Sequence, residues 1–330
     1  MNLAILLLPL LLECPALSEA HPCPQVHPVQ LADDPGQAID VLFLGDGFLE
    51  EELDDYRCAV QRILGDLLAA SPFQAYACRL NVYRIDLASD GSIDQGGSDC
   101  PELEPMEEVS CAVSDAGDPI GADTGAPECA TLDLHTRFGY DDASCELLWL
   151  DADEQSVAAD LGFCTGGDIR AVIILANSGT YGGGASSASW DGIPIAVFAP
   201  EQLTEGKAWW MLAHELGHAL FGLLDEYGSG GSSTYVAGRN IASEGEATGD
   251  SFLWSDACTD GDCDVICAGE AGDVVDDPVE LFEGGFYHTC GYYRSMRDCR
   301  MASPSQDSCR ACELTAAAAM AEMGLTACSE

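Results

Sequence analysis

Apolar positions along this chain follow two periods, and each period marks a kind of element. Ile39-Asp40-Val41-Leu42-Phe43-Leu44 is a nearly continuous apolar run, the pattern of a strand buried on both faces. Gly45-Asp46-Gly47-Phe48 follows with the residues of a tight turn. From about residue 49 to 70 the period lengthens, and Leu53, Tyr56, Val60, Ile63, Leu64, Leu67 and Leu68 mark the buried face of an amphipathic helix. Arg79 to Leu87 returns to strand. Strand, helix and strand of these lengths predict a βαβ unit with a right-handed crossover. Further strands are expected at 144–149, at Ala171-Val172-Ile173-Ile174-Leu175 and from Ile193 to Phe198.

Residues 204–224 read as one helix, with Thr204 or Glu205 near its start and good helix formers through it. Trp209, Trp210, Leu212, Ala213, Leu216, Leu220, Leu223 and Leu224 place apolar surface nearly all round, so the helix is expected to be buried. Inside that apolar helix stand His214, Glu215 and His218. Imidazoles four residues apart share one helix face, and unpaired polar burial costs several kcal/mol. A single Zn²⁺, which binds ring nitrogens at about 2.0–2.1 Å, would satisfy both histidines. Glu215 then sits beside the first ligand, where a carboxylate can accept a proton from activated water.

Elsewhere the periodicity fails. Residues 88–131 are dominated by Gly, Asp, Ser and Pro and carry Cys100, Cys111 and Cys129, the marks of a long acidic surface insertion. Asp86, Asp90 and Asp94 form one candidate Ca²⁺ cluster, and Asp256, Asp260, Asp262 and Asp264 a second, neither with the full loop pattern of a calcium hand. Asn177 to Ser189 is rich in Gly and Ser. It lies ahead of the helix, where zinc peptidases place an edge strand over the cleft, and such an edge can take an extended peptide. Cys309 to Met323 reads as a terminal helix.

The termini, cysteines and charge limit the setting. Leu3 to Leu12 is an apolar run of signal-peptide length, too short to span a bilayer, and the small residues before His21 suit cleavage near Ala20. Of 17 cysteines, Cys14 would leave with that segment, and the rest are even in number and scattered. That distribution predicts a disulfide framework and a secreted, extracellular protein rather than a periplasmic or lipid-anchored one. Cys309-Arg310-Ala311-Cys312, with Cys299 and Cys328, is expected to staple the C-terminal part. The formal net charge is −45, and Lys207 is the only lysine. Nucleic acid, which requires basic patches, is excluded as a partner. Bound Ca²⁺ and cross-links are the expected offsets to such self-repulsion.

A catalytic zinc takes three protein ligands and keeps one position open. In the metzincin pattern a glycine follows the second histidine by three residues and a third ligand by six. Here Gly222 and Asp225 each come one residue later. On an unbroken helix Asp225 would lie about 10 Å beyond the metal, so it can bind only if the chain turns back at Gly222. The alternative is a carboxylate from a later segment. Glu283, between Phe282 and two glycines, is the preferred candidate, with His288 behind it. In that case Asp225 would orient a ligand imidazole.

His214-Glu215-Leu216-Gly217-His218, continued by Gly222-Leu223 and Asp225-Glu226-Tyr227, resembles the secreted bacterial IgA-cleaving metallopeptidase family. The similarity extends in order through Phe43–Phe48, Asn177–Gly184, Phe282-Glu283-Gly284, Tyr293-Arg294 and Cys299-Arg300-Met301. It implies a zincin fold, Zn-dependent endopeptidase activity and Met301 as a methionine turn beneath the metal. The acidic insertion and the cysteine density depart from the family pattern, so IgA is not carried over as substrate.

The expected fold is therefore α+β: a zincin with a mixed twisted sheet, an active-site helix and a disulfide-rich C-terminal part. Residues 1–20 are assigned to the signal peptide and 21–38 to a lead-in. Residues 39–228 form an N-terminal subdomain bearing the 88–131 insertion, and 229–330 a C-terminal one. The expected activity is zinc-assisted peptide hydrolysis by a monomer acting on protein or peptide. Glu215 serves as general base and Tyr293 or Arg294 as a second stabiliser of the oxyanion. Two other classes compete: a non-catalytic, metal-stabilised surface or adhesive protein, and a zinc hydrolase of non-peptide amides.

Overall fold

A computed structural model of the chain describes residues 24–34, 37–89, 140–141, 149–150, 161, 164–165, 169–177, 183–186, 194–198, 208–228, 239–249, 252–258, 265–266 and 279–328. The strands β1 (Val26–Gln30), β2 (Ile39–Asp46), β3 (Leu80–Ile85), β6 (Ile169–Ala176), β7 (Gly183–Ser186) and β8 (Ile195–Phe198) form a mixed sheet in the order β1-β3-β2-β6-β8-β7. The four inner strands are parallel, and the edges β1 and β7 run antiparallel to their neighbours. Residues 26–30, polar in pattern, thus serve as an edge strand against β3. Between β3 and β6, a two-strand ladder pairs β4 (Tyr140–Asp141) with β5 (Trp149–Leu150).

Continuous apolar runs build the inner strands because both faces of this sheet are covered. Val41 and Phe43 of β2 and Ala171, Ile173 and Leu175 of β6 enter the larger core, while Leu42, Leu44, Val172, Ile174 and Ala176 enter a second one on the opposite face. Helix α1 (Leu53–Leu68) packs Tyr56, Val60, Ile63, Leu64 and Leu67 into the larger core, the face its 3.6-residue period predicted. Helix α2 (Ala208–Phe221) adds Leu212, Ala213, Leu216 and Phe221.

The C-terminal elements share that larger core. Strands β9 (Ile241–Ser243), β10 (Val265–Ile266), β11 (Leu281–Gly285) and β12 (His288–Arg294) form a second sheet in the order β10-β11-β12-β9, with the short helix α3 (Glu244–Thr248) following β9. Helix α4 (Arg310–Glu322) packs on α2 and contributes Ala311, Ala316 and Met320. A Cys78–Cys328 disulfide ties the C-terminal segment to the turn before β3, and Cys164 and Cys258 are also disulfide-bonded. Cys299, Cys309 and Cys312, expected to be staples, are instead buried free thiols.

The whole is mixed α/β with a mixed sheet. Helix α2 ends at Phe221, three residues short of the predicted boundary, because Gly222 takes a left-handed φ of 64°. Its predicted start at 204, the apolar run 3–12 and most of the insertion lie outside the described residues. So do Asp90, Asp94, Asp260, Asp262 and Asp264 of the candidate Ca²⁺ clusters. Asp86 is committed elsewhere: Arg57 Nε donates to its Oδ2 at 2.8 Å, and Arg84 donates to Oδ1. Burial alone would raise its pKa, but the two guanidiniums outweigh this and hold the carboxyl below the usual range. Among the described residues no helix is long and apolar enough to cross a membrane.

Candidate metal centre

The centre is assembled by α2, by the turn that ends it and by the segments that receive the turn. Gly222 reverses the chain, and the N–H groups of Gly222 and Leu223 donate to the carbonyls of His218 and Gly217, both at 3.1 Å. Glycine suits the position because a left-handed φ is strained for residues carrying a Cβ. The reversal absorbs the extra residue in the spacing and returns Asp225 to the histidines.

Three ligand atoms meet there. Asp225 Oδ1 lies 3.2 Å from His214 Nε2 and 3.2 Å from His218 Nε2, and the two Nε2 atoms are 3.2 Å apart. Ligands bound tetrahedrally at about 2.0–2.1 Å stand about 3.3 Å from one another, so the triangle matches a zinc-sized ion. The ring tautomers agree. His214 Nδ1–H donates to Arg300 O at 3.0 Å and His218 Nδ1–H to Leu223 O at 2.6 Å, which leaves both Nε2 lone pairs facing the carboxylate. With both rings in these neutral tautomers, Asp225 Oδ1 is buried and, among the described residues, has no hydrogen-bond donor. An acceptor surrounded by acceptors fits a cation.

Without an ion the three groups must share protons. Burial disfavours charge on His218, but the hydrogen bond and negative charge of Asp225 raise its pKa to about 9. Burial acts on Asp225 too, yet both imidazoles hold its carboxyl well below the ordinary range. Glu215, 4% exposed, is raised by desolvation, which Asp225 reinforces and the two histidines oppose.

Two tyrosines complete the centre. Tyr287 O–H donates to Asp225 Oδ2 at 2.5 Å, so the 3.0 Å contact with Tyr227 is a bond donated by the Tyr227 hydroxyl. Burial and the hydrogen bond to Asp225 push the Tyr287 pKa up to about 12. Tyr287 reaches the site from the two-residue turn between β11 and β12, where Phe286 and Tyr287 both adopt positive φ, 49° and 64°. Bulky residues in that region are strained. The turn is pinned by Phe286 N–H on Asp225 O at 2.8 Å and Tyr287 N–H on Tyr227 O at 3.0 Å.

Glu283, the preferred third ligand, is not among the converging residues. It lies in β11, and its Oε1 accepts the Gly291 N–H at 3.1 Å. His288 stacks on Tyr292 with ring centroids 4.5 Å apart. Tyr293, expected near the oxyanion, packs into the larger core at 8% exposure. Arg294 spends its guanidinium on the backbone carbonyls of Glu226, Gly284, Met296 and Arg297. Met301 does lie beneath α2: a Cβ on Gly217 would stand 3.1 Å from its Sδ, so the helix approaches the methionine through a glycine.

Sequence pattern did not reveal Tyr287, nor the carbonyls of Leu223 and Arg300. The one usable signal was Tyr287 itself, an aromatic after Glu283-Gly284-Gly285-Phe286, with no spacing that ties it to α2.

Two imidazoles and a carboxylate around one point can hold a metal ion, and a second carboxylate alongside can exchange a proton with water there. The model of the family described as IgA peptidase M64 matches residues 140–246, a span that holds α2, the turn and Asp225. This is the family that the motifs resemble, so the chain's similarity is to a peptidase family. No curated protein matches the chain.

Proposed function

We propose that the protein is a secreted zinc endopeptidase in which His214, His218 and Asp225 hold the ion. The observation that carries this reading is the triangle of His214 Nε2, His218 Nε2 and the donorless Asp225 Oδ1, each 3.2 Å from the others. Zinc bound there would polarise the scissile carbonyl and lower the pKa of a water toward about 7.

The remaining work belongs to side chains. Glu215 accepts the proton of the attacking water and later delivers it to the leaving amine nitrogen. Its desolvated carboxyl holds a proton more readily than an exposed one, which suits both halves of the transfer. Tyr287, backed by Tyr227, fixes the Asp225 carboxylate so that Oδ1 keeps its aim. Strand β7 packs against α2 and, among the described residues, pairs only with β8. Its outer edge offers backbone N–H and C=O groups to an extended chain, which favours a peptide over a compact amide. Secretion rests on the apolar run at Leu3–Leu12 and on the disulfides.

The test is zinc content and casein cleavage by the oxidatively folded protein, with Glu215→Gln in parallel. Cleavage by the wild type, and a variant that keeps the zinc of the His214–His218–Asp225 site but has at least 100-fold lower kcat, are expected. A wild type that binds zinc and cleaves no protein would overturn the peptidase reading.

A further inference from the structure

Asp225 and Glu226 are adjacent, yet their carboxylates face different clusters. Glu226 is 0% exposed, and its Oε1 lies 3.4 Å from Cys309 Sγ and 3.4 Å from Cys312 Sγ. The Cys312 sulfur is 3.2 Å from that of Cys309 and 3.4 Å from that of Cys299. Each of the three cysteines is at most 1% exposed. The four ligand atoms lie within 4.8 Å of one another. The second carboxylate oxygen, Glu226 Oε2, is buried and has no hydrogen-bond partner among the described residues.

We propose that Glu226, Cys299, Cys309 and Cys312 form a second, structural zinc site, closed to substrate. Three sulfurs cannot all be satisfied by disulfides, since one pairing leaves a thiol beside a buried carboxylate. Among the described residues Cys78, Cys164, Cys258 and Cys328 are disulfide-bonded, and Cys58 and Cys290 are free but exposed. Cys299, Cys309 and Cys312, in contrast, are free, buried and close together, where a bound ion would protect them from oxidation. Three thiolates and one carboxylate oxygen are a four-ligand set suited to tetrahedral zinc, and the oxygen disfavours copper(I). Binding is a simple exchange in which the thiol protons leave to solvent and the ion takes their place, with no electron transfer.

Burial pushes the Cys299 and Cys312 thiols up, a cost that a bound cation and the groups around them would offset. Cys309 caps the N-terminus of α4 and Cys312 lies in its first turn, where the helix dipole favours negative charge. Cys309 N–H donates to Cys299 Sγ at 3.3 Å. Asn240 Nδ2 donates to Glu226 Oε1 at 3.0 Å, and Arg294 sets its guanidinium against the Glu226 carbonyl.

The site would brace the catalytic one. Residues 299–301 run between the two clusters: Arg300 O accepts from His214 Nδ1, and Met301 O accepts the Glu226 N–H at 2.7 Å. An ion on Cys299 and Glu226 therefore fixes both the orienting carbonyl of one proposed ligand and the chain neighbour of another.

The test uses the full-length protein prepared without reductant, loaded with zinc or with cobalt(II). Two zinc ions per chain are expected, with thiolate-to-cobalt charge transfer in the near ultraviolet. His214→Ala/His218→Ala should lose one ion and keep the band, and Cys312→Ser should lose the other and most of the band. Should Cys312→Ser fail to fold, the wild-type spectrum and non-reducing peptide mapping still decide. A disulfide between any two of Cys299, Cys309 and Cys312, or wild-type cobalt protein lacking the band, overturns the proposal. Because the two ions are lost with different residues, an inert protein that retains the thiolate band would count against the peptidase reading alone.

Discussion

At the residue scale, the assignment of the third ligand turns on two carboxylates, of which sequence alone favours Glu283. Asp225 Oδ1 faces both imidazoles without a donor of its own, whereas Glu283 is occupied by the Gly291 amide. Asp225→Ala should therefore lose the catalytic zinc on dialysis against a weak chelator, while Glu283→Gln keeps it. The reverse result would return Glu283 to the centre. Proton bookkeeping gives an independent check. In the metal-free protein His218, with its pKa near 9, is charged at pH 7, and a ligand imidazole must be neutral. Zinc binding at pH 7 should release about one proton from this residue, seen as a calorimetric heat that varies with buffer ionisation enthalpy. The same raised pKa makes His218 stabilise the metal-free fold fully below about pH 6.5, and that contribution fades as pH rises through about 9.

At the element scale, the end of α2 decides whether a long helix or a metal centre forms. Leucines at 220, 223 and 224 continue the helical pattern past residue 221, so local periodicity alone extends the helix. Gly222, with φ of 64°, stops it. Among the described residues no neighbouring atom blocks a side chain at this glycine, so a Gly222→Ala change is expected to act through backbone strain. A left-handed alanine costs roughly 1–2 kcal/mol. The variant should melt at lower temperature and bind the catalytic zinc more weakly, because the turn delivers Asp225. Unchanged zinc affinity in a chelator competition would show that the turn is dispensable. The β11–β12 turn works similarly: its two left-handed aromatics are held by backbone bonds to Asp225 and Tyr227 while Tyr287 reaches Asp225 Oδ2.

At the scale of the whole molecule, the formal charge of −45 has to be reconciled with a compact core. Among the described residues, arginines are spent on acids, as Arg57 and Arg84 on Asp86 and Arg239 on Glu322. The sequence holds 57 acidic residues against only 12 lysines and arginines, so acids outnumber the cations that could pair with them. Added salt screens repulsion over a Debye length of about 10 Å at 0.1 M. The melting temperature should rise between low salt and about 0.5 M NaCl, where that length is shorter still. A melting curve indifferent to salt would mean that cross-links and bound ions already offset the charge.

The sequence by itself determined the strands β2, β3, β6 and β8, the buried face of α1, the terminal helix and the pairing of His214 with His218 around Glu215. All of these follow from local period, and a period of two or of 3.6 survives in any tertiary setting. Only the tertiary structure decided that Asp225 joins the histidines, that Tyr287 supports it, that Arg294 holds four backbone carbonyls, and that three cysteines meet Glu226 instead of pairing. Those outcomes depend on convergence between segments as far apart as His214 and Arg300, 86 residues along the chain. Local spacing cannot encode such a meeting, because it is set by how α2, the second sheet and α4 pack into one core.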